Sequence, residues 1–129
     1  MFINCSNHAS ANWSDQQVKA ASEWGEIVDY PFPSVPADAD EKKIAEMAEA
    51  AADEMAAMNP EAVMCQGEFT LTFALTERLK LKGIPVVAAC SQRKTTEVRQ
   101  PDGGTKKISE FCFTRFREYG QKTDSIPVL

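Results

Sequence analysis

Apolar and polar positions alternate along the chain between short apolar runs and longer stretches of helical period. Met1-Phe2-Ile3-Asn4-Cys5, Ile27-Val28-Asp29-Tyr30, Ala62-Val63-Met64-Cys65-Gln66 and Ile84-Pro85-Val86-Val87-Ala88-Ala89-Cys90 read as four strands. Brief apolar runs bounded by turn residues are what buried strands look like, and Pro85 stands at a strand start, where a missing donor is tolerated. Three helical patterns separate them. Ser14-Asp15-Gln16-Gln17 has capping-box spacing, and the helix it opens carries Val18, Ala21 and Trp24 towards one side before stopping at Gly25. Over 40–58, Ile44, Met47, Ala48, Ala51, Met55 and Met58 form one stripe, with Glu46, Glu49, Asp53 and Glu54 left for solvent. That spacing makes the methionines a core face rather than metal ligands. Over 70–82, Leu71, Ala74, Leu75 and Leu79 supply the buried side, and Lys82-Gly83 closes the helix. Pro31, Pro33 and Pro36 make the connection between strand 2 and the second helix stiff and extended.

After Cys90 the rhythm changes. A strand at 93–99, the turn Pro101-Asp102-Gly103-Gly104 and a strand at 106–116 predict a hairpin spanning 92–116, and 121–129 reads as a loose tail. Consecutive parallel strands need crossover helices, so four strands joined by three helices predict a three-layer, parallel α/β domain over 1–120. A strand order of 2-1-3-4, with the hairpin extending or capping one edge, makes the fold Rossmann-like. Its winding reverses beside strand 1 and opens a crevice at the strands' carboxyl ends.

Length and charge narrow the possibilities. A chain of 129 residues, 43% hydrophobic and 26% charged, is expected to form one domain with its own core. A ligand clasped between two domains would need a second copy of the chain. The net charge of −5 opposes binding to long nucleic acids, whose affinity comes from many phosphate contacts, but not to a small anion at a local basic patch. The N-terminus lacks a secretory pattern and no run approaches the roughly 20 apolar residues of a membrane span, so no membrane partner and a cytoplasmic location are expected. Cysteines at 5, 65, 90 and 112 form no CxxC pair, as suits free thiols in a reducing compartment.

In this topology three unusual segments meet at one rim: Ser6-Asn7-His8-Ala9-Ser10, Gln66-Gly67-Glu68-Phe69-Thr70 and Ser91-Gln92-Arg93-Lys94. His8, the only histidine, is suited to proton transfer with an ordinary pKa of about 6.5, or is simply a loop residue. Ser6, Asn7 and Ser10 are donors for phosphate or ribose oxygens, or caps for their own loop. Trp13 offers a base-stacking surface or packs on the first helix. Gly67 lets backbone approach a ligand, Thr70 caps the third helix, and the amides of that helix start favour an anion. Glu68 can accept from a base or ribose hydroxyl, or pair with Arg93 or Lys94. Gln66, Ser91 and Gln92 complete the polar rim.

Arg93, a planar fork, and Lys94, a point charge, are the phosphate candidates. Arg115 and Arg117, two apart in a strand, should face the same way about 6–7 Å apart. They would bind phosphates, cross a dimer interface, or pair with acids such as Glu118. Neither GxxxxGK[ST] nor GxGxxG occurs, which argues against an ATPase or a dinucleotide enzyme. Cys5, Cys65 and Cys90 with His8 are a conceivable zinc set, but strand-end cysteines are commonly small buried residues and nothing fixes a tetrahedron. No metal or cofactor is therefore expected.

Phe2-Ile3-Asn4-Cys5-Ser6-Asn7-His8 with Trp13-Ser14, Gln66-Gly67-Glu68-Phe69-Thr70-Leu71-Thr72-Phe73-Ala74-Leu75, Ser91-Gln92-Arg93-Lys94 and Phe113-Thr114-Arg115-Phe116-Arg117-Glu118-Tyr119 together resemble small single-domain CRISPR-associated Rossmann-fold (CARF-like) proteins of antiviral defence, including stand-alone ring nucleases. The resemblance spans the chain up to Tyr119. It implies a homodimer that binds a cyclic oligoadenylate across its two-fold axis. For an enzyme of this kind it implies metal-independent cleavage, in which the 2′-hydroxyl attacks its adjacent phosphorus and gives a 2′,3′-cyclic phosphate and a 5′-hydroxyl. In that reaction Arg93 or Lys94 would stabilise phosphoryl charge, and His8 would serve as acid or base. No effector nuclease or helix-turn-helix is expected within these 129 residues. A non-catalytic sensor or sponge, a small nucleotide or phosphometabolite enzyme, and a vestigial pocket on an association module stand as alternatives.

Overall fold

The computed structural model describes residues 1–122. Five strands form one sheet: β1 (Phe2–Ser6), β2 (Ile27–Asp29), β3 (Ala62–Gln66), β4 (Val86–Arg99) and β5 (Thr105–Glu118). Their order is β2-β1-β3-β4-β5, so the predicted 2-1-3-4 core is present with the hairpin strand at its edge. β1 runs parallel to β2 and β3, and β3 runs parallel to β4. Three helices make the crossovers: α1 (Asp15–Ser22), α2 (Glu41–Ala57) and α3 (Phe69–Leu81).

Two hydrophobic layers flank the sheet. On one face Ile44, Ala48, Ala51 and Met55 of α2 and Leu71, Leu75 and Leu79 of α3 pack over Ile3, Cys5, Val63, Cys65 and Val86. Met47 and Met58 border this layer, so the α2 stripe is a core face as its spacing predicts. On the other face a smaller layer joins Phe2, Ala21, Met64, Val87 and Phe116 with Trp13 and Trp24 at its margin. Phe2 stacks on Trp24 with centroids 5.3 Å apart and meets Phe116 at 5.1 Å. Aromatic density compensates here for the shortness of α1.

Helix ends follow local chemistry. The Ser14 hydroxyl accepts from the Gln17 amide at 3.2 Å, and Asp40 caps α2 through the Lys43 amide at 2.9 Å. Asn59 takes a left-handed backbone (φ 55°) before Pro60, which stops α2. At α3 the cap is Glu68 rather than the expected Thr70: its carboxylate accepts from the amides of Thr70 and Leu71.

The largest departure from expectation concerns the hairpin. The predicted strands at 84–90 and 93–99 are one strand of 14 residues, β4, with only a register shift between Cys90 and Ser91. On β5 the extra residue is Thr114, because Cys90 pairs with Arg115 and Ser91 with Phe113. An extra residue of this kind increases local twist without ending the ladder. From Ser91 outward β4 has left β3 and pairs with β5 alone, through Arg99↔Thr105. The turn at its tip is the predicted one: the Gly104 amide donates to Asp102 Oδ1 at 2.9 Å, and Gly103 has φ 88°. At the other end, the Lys80 ammonium donates to the carbonyls of Tyr119 and Gln121 at 2.7 Å each. Of the predicted tail, 123–129 lies outside the described residues.

Candidate functional site

Where β1 and β3 end, the β1–α1 connection turns back over the sheet through a buried polar knot. Asn4, buried in β1, donates through Nδ2 to the His8 carbonyl at 2.8 Å and to Asp29 Oδ1 at 3.0 Å. The Ser6 hydroxyl donates to Asn4 Oδ1 at 2.6 Å and accepts from the His8 amide at 3.2 Å. The Ser10 amide donates to both Asp29 oxygens, at 3.2 and 3.3 Å. Partial burial alone would raise the Asp29 pKa, but the hydrogen bonds from Asn4 and Ser10 outweigh it and hold the carboxyl below its ordinary value. The knot fixes the path of residues 6–10 and carries His8 out to an exposed position.

Beside this loop lies a cleft of about 640 Å³, on the α1 face of the sheet at the carboxyl ends of β1 and β3 and beside Ala89 and Ser91 of β4. Ser6 and His8 form one side, Trp13 and Gln17 another, Gln66 and Met64 the floor, and Ser91, Phe111 and Phe113 the far wall. This is the crevice beside β1 that the reversal of winding predicts. Trp13 packs on the strands and also faces the cleft. Its ring lies 6.3 Å from Phe2 and 6.3 Å from Phe116. Gln66 ties the floor to the wall, because its Oε1 accepts from the Ala89 amide at 2.5 Å where β4 starts to diverge from β3.

The nominated residues divide. Ser6, His8, Gln66 and Ser91 line the cleft together. Asn7 is exposed on the same loop, and Ser10 is spent on Asp29 through its amide. Gly67 is approached by protein rather than open: a β-carbon there would lie 2.5 Å from the Phe32 ring. Glu68 and Thr70 are engaged with each other. The Thr70 hydroxyl donates to the Glu68 carboxylate, at 2.5 Å to one oxygen and 2.7 Å to the other. The hydrogen bond from Thr70, with further bonds from the Leu71 and Thr70 amides, holds the Glu68 pKa below its ordinary value against desolvation. The α3 helix start is thus answered by a carboxylate of its own chain.

Strand alternation separates the two nominated cations. Arg93 pairs with Phe111 and Ser91 with Phe113, so Arg93 shares the cleft-side face of the hairpin, one pair farther out. Lys94, opposite Glu110, and Gln92, opposite Cys112, belong to the other face. Arg93 Nη2 reaches Ser109 Oγ at 3.3 Å. Arg115 pairs with Cys90 and Arg117 with Ala88. The Arg115 Nε donates to the Phe116 carbonyl at 3.0 Å, and its side chain lies in the hollow beside Trp24 at the sheet's outer edge.

Asn4, Asp29, Phe111 and Phe113 are site residues that the reading of the rim missed. Asn4 sat inside an apolar run, and a polar residue in a buried strand was the available signal. The two phenylalanines come from a strand distant in sequence, and only pairing brings them to the wall. The cysteines are equally clear in place. Cys5 and Cys65 are register partners in the core, and the neighbouring Cys5 thiol together with burial pushes the Cys65 thiol far up. Among the described residues all four cysteines are free, and no three or more His, Cys, Asp or Glu side chains gather as a metal-binding set. No helix among them is long and apolar enough to cross a membrane.

A model of the uncharacterized protein MJ1673 family matches residues 1–117, through the cleft and both hairpin strands. The chain belongs to that family. No curated protein and no solved structure matches the chain.

Proposed function

We propose that the cleft binds an adenylate unit of a small nucleotide ligand, a cyclic oligoadenylate in the reading that the CARF-like resemblance favours, and that the binding form is a homodimer. One observation carries this proposal: the cleft lining combines aromatic rings with neutral amide and hydroxyl groups. Trp13, Phe111 and Phe113 offer stacking surfaces, while Asn12, Gln17 and Gln66 offer paired donors and acceptors for a base edge. Stacking supplies affinity that tolerates any base, about 1–3 kcal/mol per base, and amides supply the choice of edge. Phosphate would lie outward, where Arg93 stands on the same hairpin face as Phe111. A ring of repeated adenylates presents the same base and phosphate more than once, so two copies of one small chain can meet it with two identical clefts.

The composition of the lining favours binding over turnover. His8 is the one imidazole in the lining, and among the described residues no Lys or Arg is part of it. Cleavage remains open to the same site through His8. The ligand's own 2′-hydroxyl would attack, and the protein would need only to align the attacking and leaving oxygens and move one proton.

Incubation with cyclic tri-, tetra- and hexa-adenylate in EDTA, followed by native and product mass spectrometry, tests both readings. A retained, intact ring on a dimer supports the sensor form. Linear products ending in 2′,3′-cyclic phosphate support cleavage, and loss of those products in His8→Ala with binding kept would assign the proton step. Neither binding nor cleavage of any ring overturns the cyclic-oligoadenylate reading. Gln66→Ala and Trp13→Ala should each weaken the retained complex at least tenfold.

A further inference from the structure

The outer hairpin, Ser91–Arg99 paired with Thr105–Phe113, has no structural reason to stand alone. Nine residues at about 3.3 Å each make an arm about 30 Å long, and a lone two-stranded ribbon is marginally stable in water. Every residue of its β4 half is exposed, and so are the apolar side chains of Val98, Ile108 and Phe111. Val98 and Ile108 sit on one face of the ribbon in diagonal positions, flanked by Thr96, and both are exposed among the described residues.

Charge is divided unequally between the arm and the rest of the molecule. Residues 91–113 hold five Lys and Arg against three Asp and Glu, although the whole chain holds 14 against 19. The remainder therefore carries nine basic residues and sixteen acidic ones. Among the described residues the ion pairs are Lys80–Glu118 and Lys82–Asp53, and none of them involves the arm. Register sets Lys94 opposite Glu110 and Glu97 opposite Lys107, but leaves Arg93, Arg99 and Lys106 without an acid across the ladder.

From this division we infer that the β-ribbon is a dimerisation arm, which lies with its basic and apolar side chains against the acidic body of a second copy. The inference rests on the homodimer of the proposed reading, but not on the identity of the ligand. The area is adequate. One ribbon face about 30 Å by 10 Å covers roughly 300 Å², and a reciprocal exchange, giving one face and receiving another, doubles this footprint. Accessible area exceeds footprint, which brings each copy near the roughly 800 Å² of a stable interface. Opposite net charge on arm and body orients the encounter, and Val98 and Ile108 supply apolar burial. Because Ser91, Phe111 and Phe113 at the arm's root wall the cleft, seating the arm also steadies that wall.

Native mass spectrometry and light scattering on the ligand-free full chain provide the test. Wild type should be a dimer whose dissociation constant rises at least tenfold between 50 and 500 mM salt. Lys94→Glu with Lys106→Glu, both on the Val98 and Ile108 face, and separately Val98→Asp with Ile108→Asp, should each raise it at least tenfold. The near-ultraviolet signal of Trp13 and Trp24 should stay unchanged, which shows an intact body. A wild-type monomer at micromolar concentration overturns the homodimer and the arm together. A wild-type dimer that neither variant loosens overturns the arm alone. A monomer that retains short RNA through the same lysines overturns it in favour of a nucleic-acid contact.

Discussion

The first four residues of β4 and its last nine share one backbone geometry but live under different energetics. Val86 and Val87 are buried between two helical layers, with β3 on one side and β5 on the other. Beyond Cys90 the same strand has one neighbour, and its side chains are exposed and, apart from Val98, polar or charged. The body is held by burial from both sides, whereas the ribbon is held by its ladder and turn. The cleft lies at the joint between these regimes. Its floor is built by the rigid half and its far wall by the root of the exposed half.

The difference is sharpest in the response to truncation. Leu75→Ala, at a fully buried α3 position, should cost about 2–5 kcal/mol in urea unfolding, a large share of the ~5–15 kcal/mol of a typical domain. Ile108→Ala on the ribbon should change the stability of the dilute monomer by less than about 0.5 kcal/mol. Equal losses would show that the ribbon packs on its own body and erase the distinction. Two glycines repeat the contrast at smaller scale. Gly67→Ala must displace the Phe32 ring and should cost about 1–3 kcal/mol, whereas Gly104→Ala, at the ribbon turn, meets only Asp102 Oδ1 at 3.2 Å and should cost less.

The polar knot gives the next effect. Asn4→Ala removes donors to His8 and Asp29 and the shortest partner of the Ser6 hydroxyl, so a loss of about 1–3 kcal/mol is expected by thermal unfolding. The same variant should weaken ligand retention, because the loop carrying His8 loses its tether. Unchanged retention would place the ligand away from that loop.

The smallest expected effect is the acid dependence. Asp29 and Glu68 both have folded pKa values below their ordinary 3.8 and 4.5. Each therefore contributes stability that is fully present above its ordinary value and is lost as pH falls through the lower, folded one. Asp29→Asn with Glu68→Gln should flatten the acid limb of unfolding below about pH 4. An unaltered limb would assign acid sensitivity to other carboxylates.

Much of the body was legible because its signals are local. Capping residues, helical stripes and apolar runs each announce an element within a few positions, and the handedness of crossovers then orders the strands. The α2 stripe and the Asp102-Gly103-Gly104 turn needed nothing more than spacing. The split of β4 into two predicted strands failed for an equally physical reason. Composition changes at Cys90 because burial ends there, while backbone pairing continues with β5.

The site was legible only as a location. Winding order placed the crevice, and Ser6, His8, Gln66 and Ser91 reached it. Residue types could not separate Arg93 from Lys94, since the decision belongs to strand parity and to the register with Phe111. Nor could they show that Glu68 answers the α3 amides, because a carboxylate folding back two residues looks the same in sequence as one awaiting a ligand. By itself the sequence determined the elements, their layers and the rim, since those follow from local propensity and from the need to bury apolar faces. Only the tertiary structure decided which side chains line the cleft and which satisfy one another, because those choices depend on pairing register, on the extra residue at Thr114 and on contacts between positions far apart in the chain.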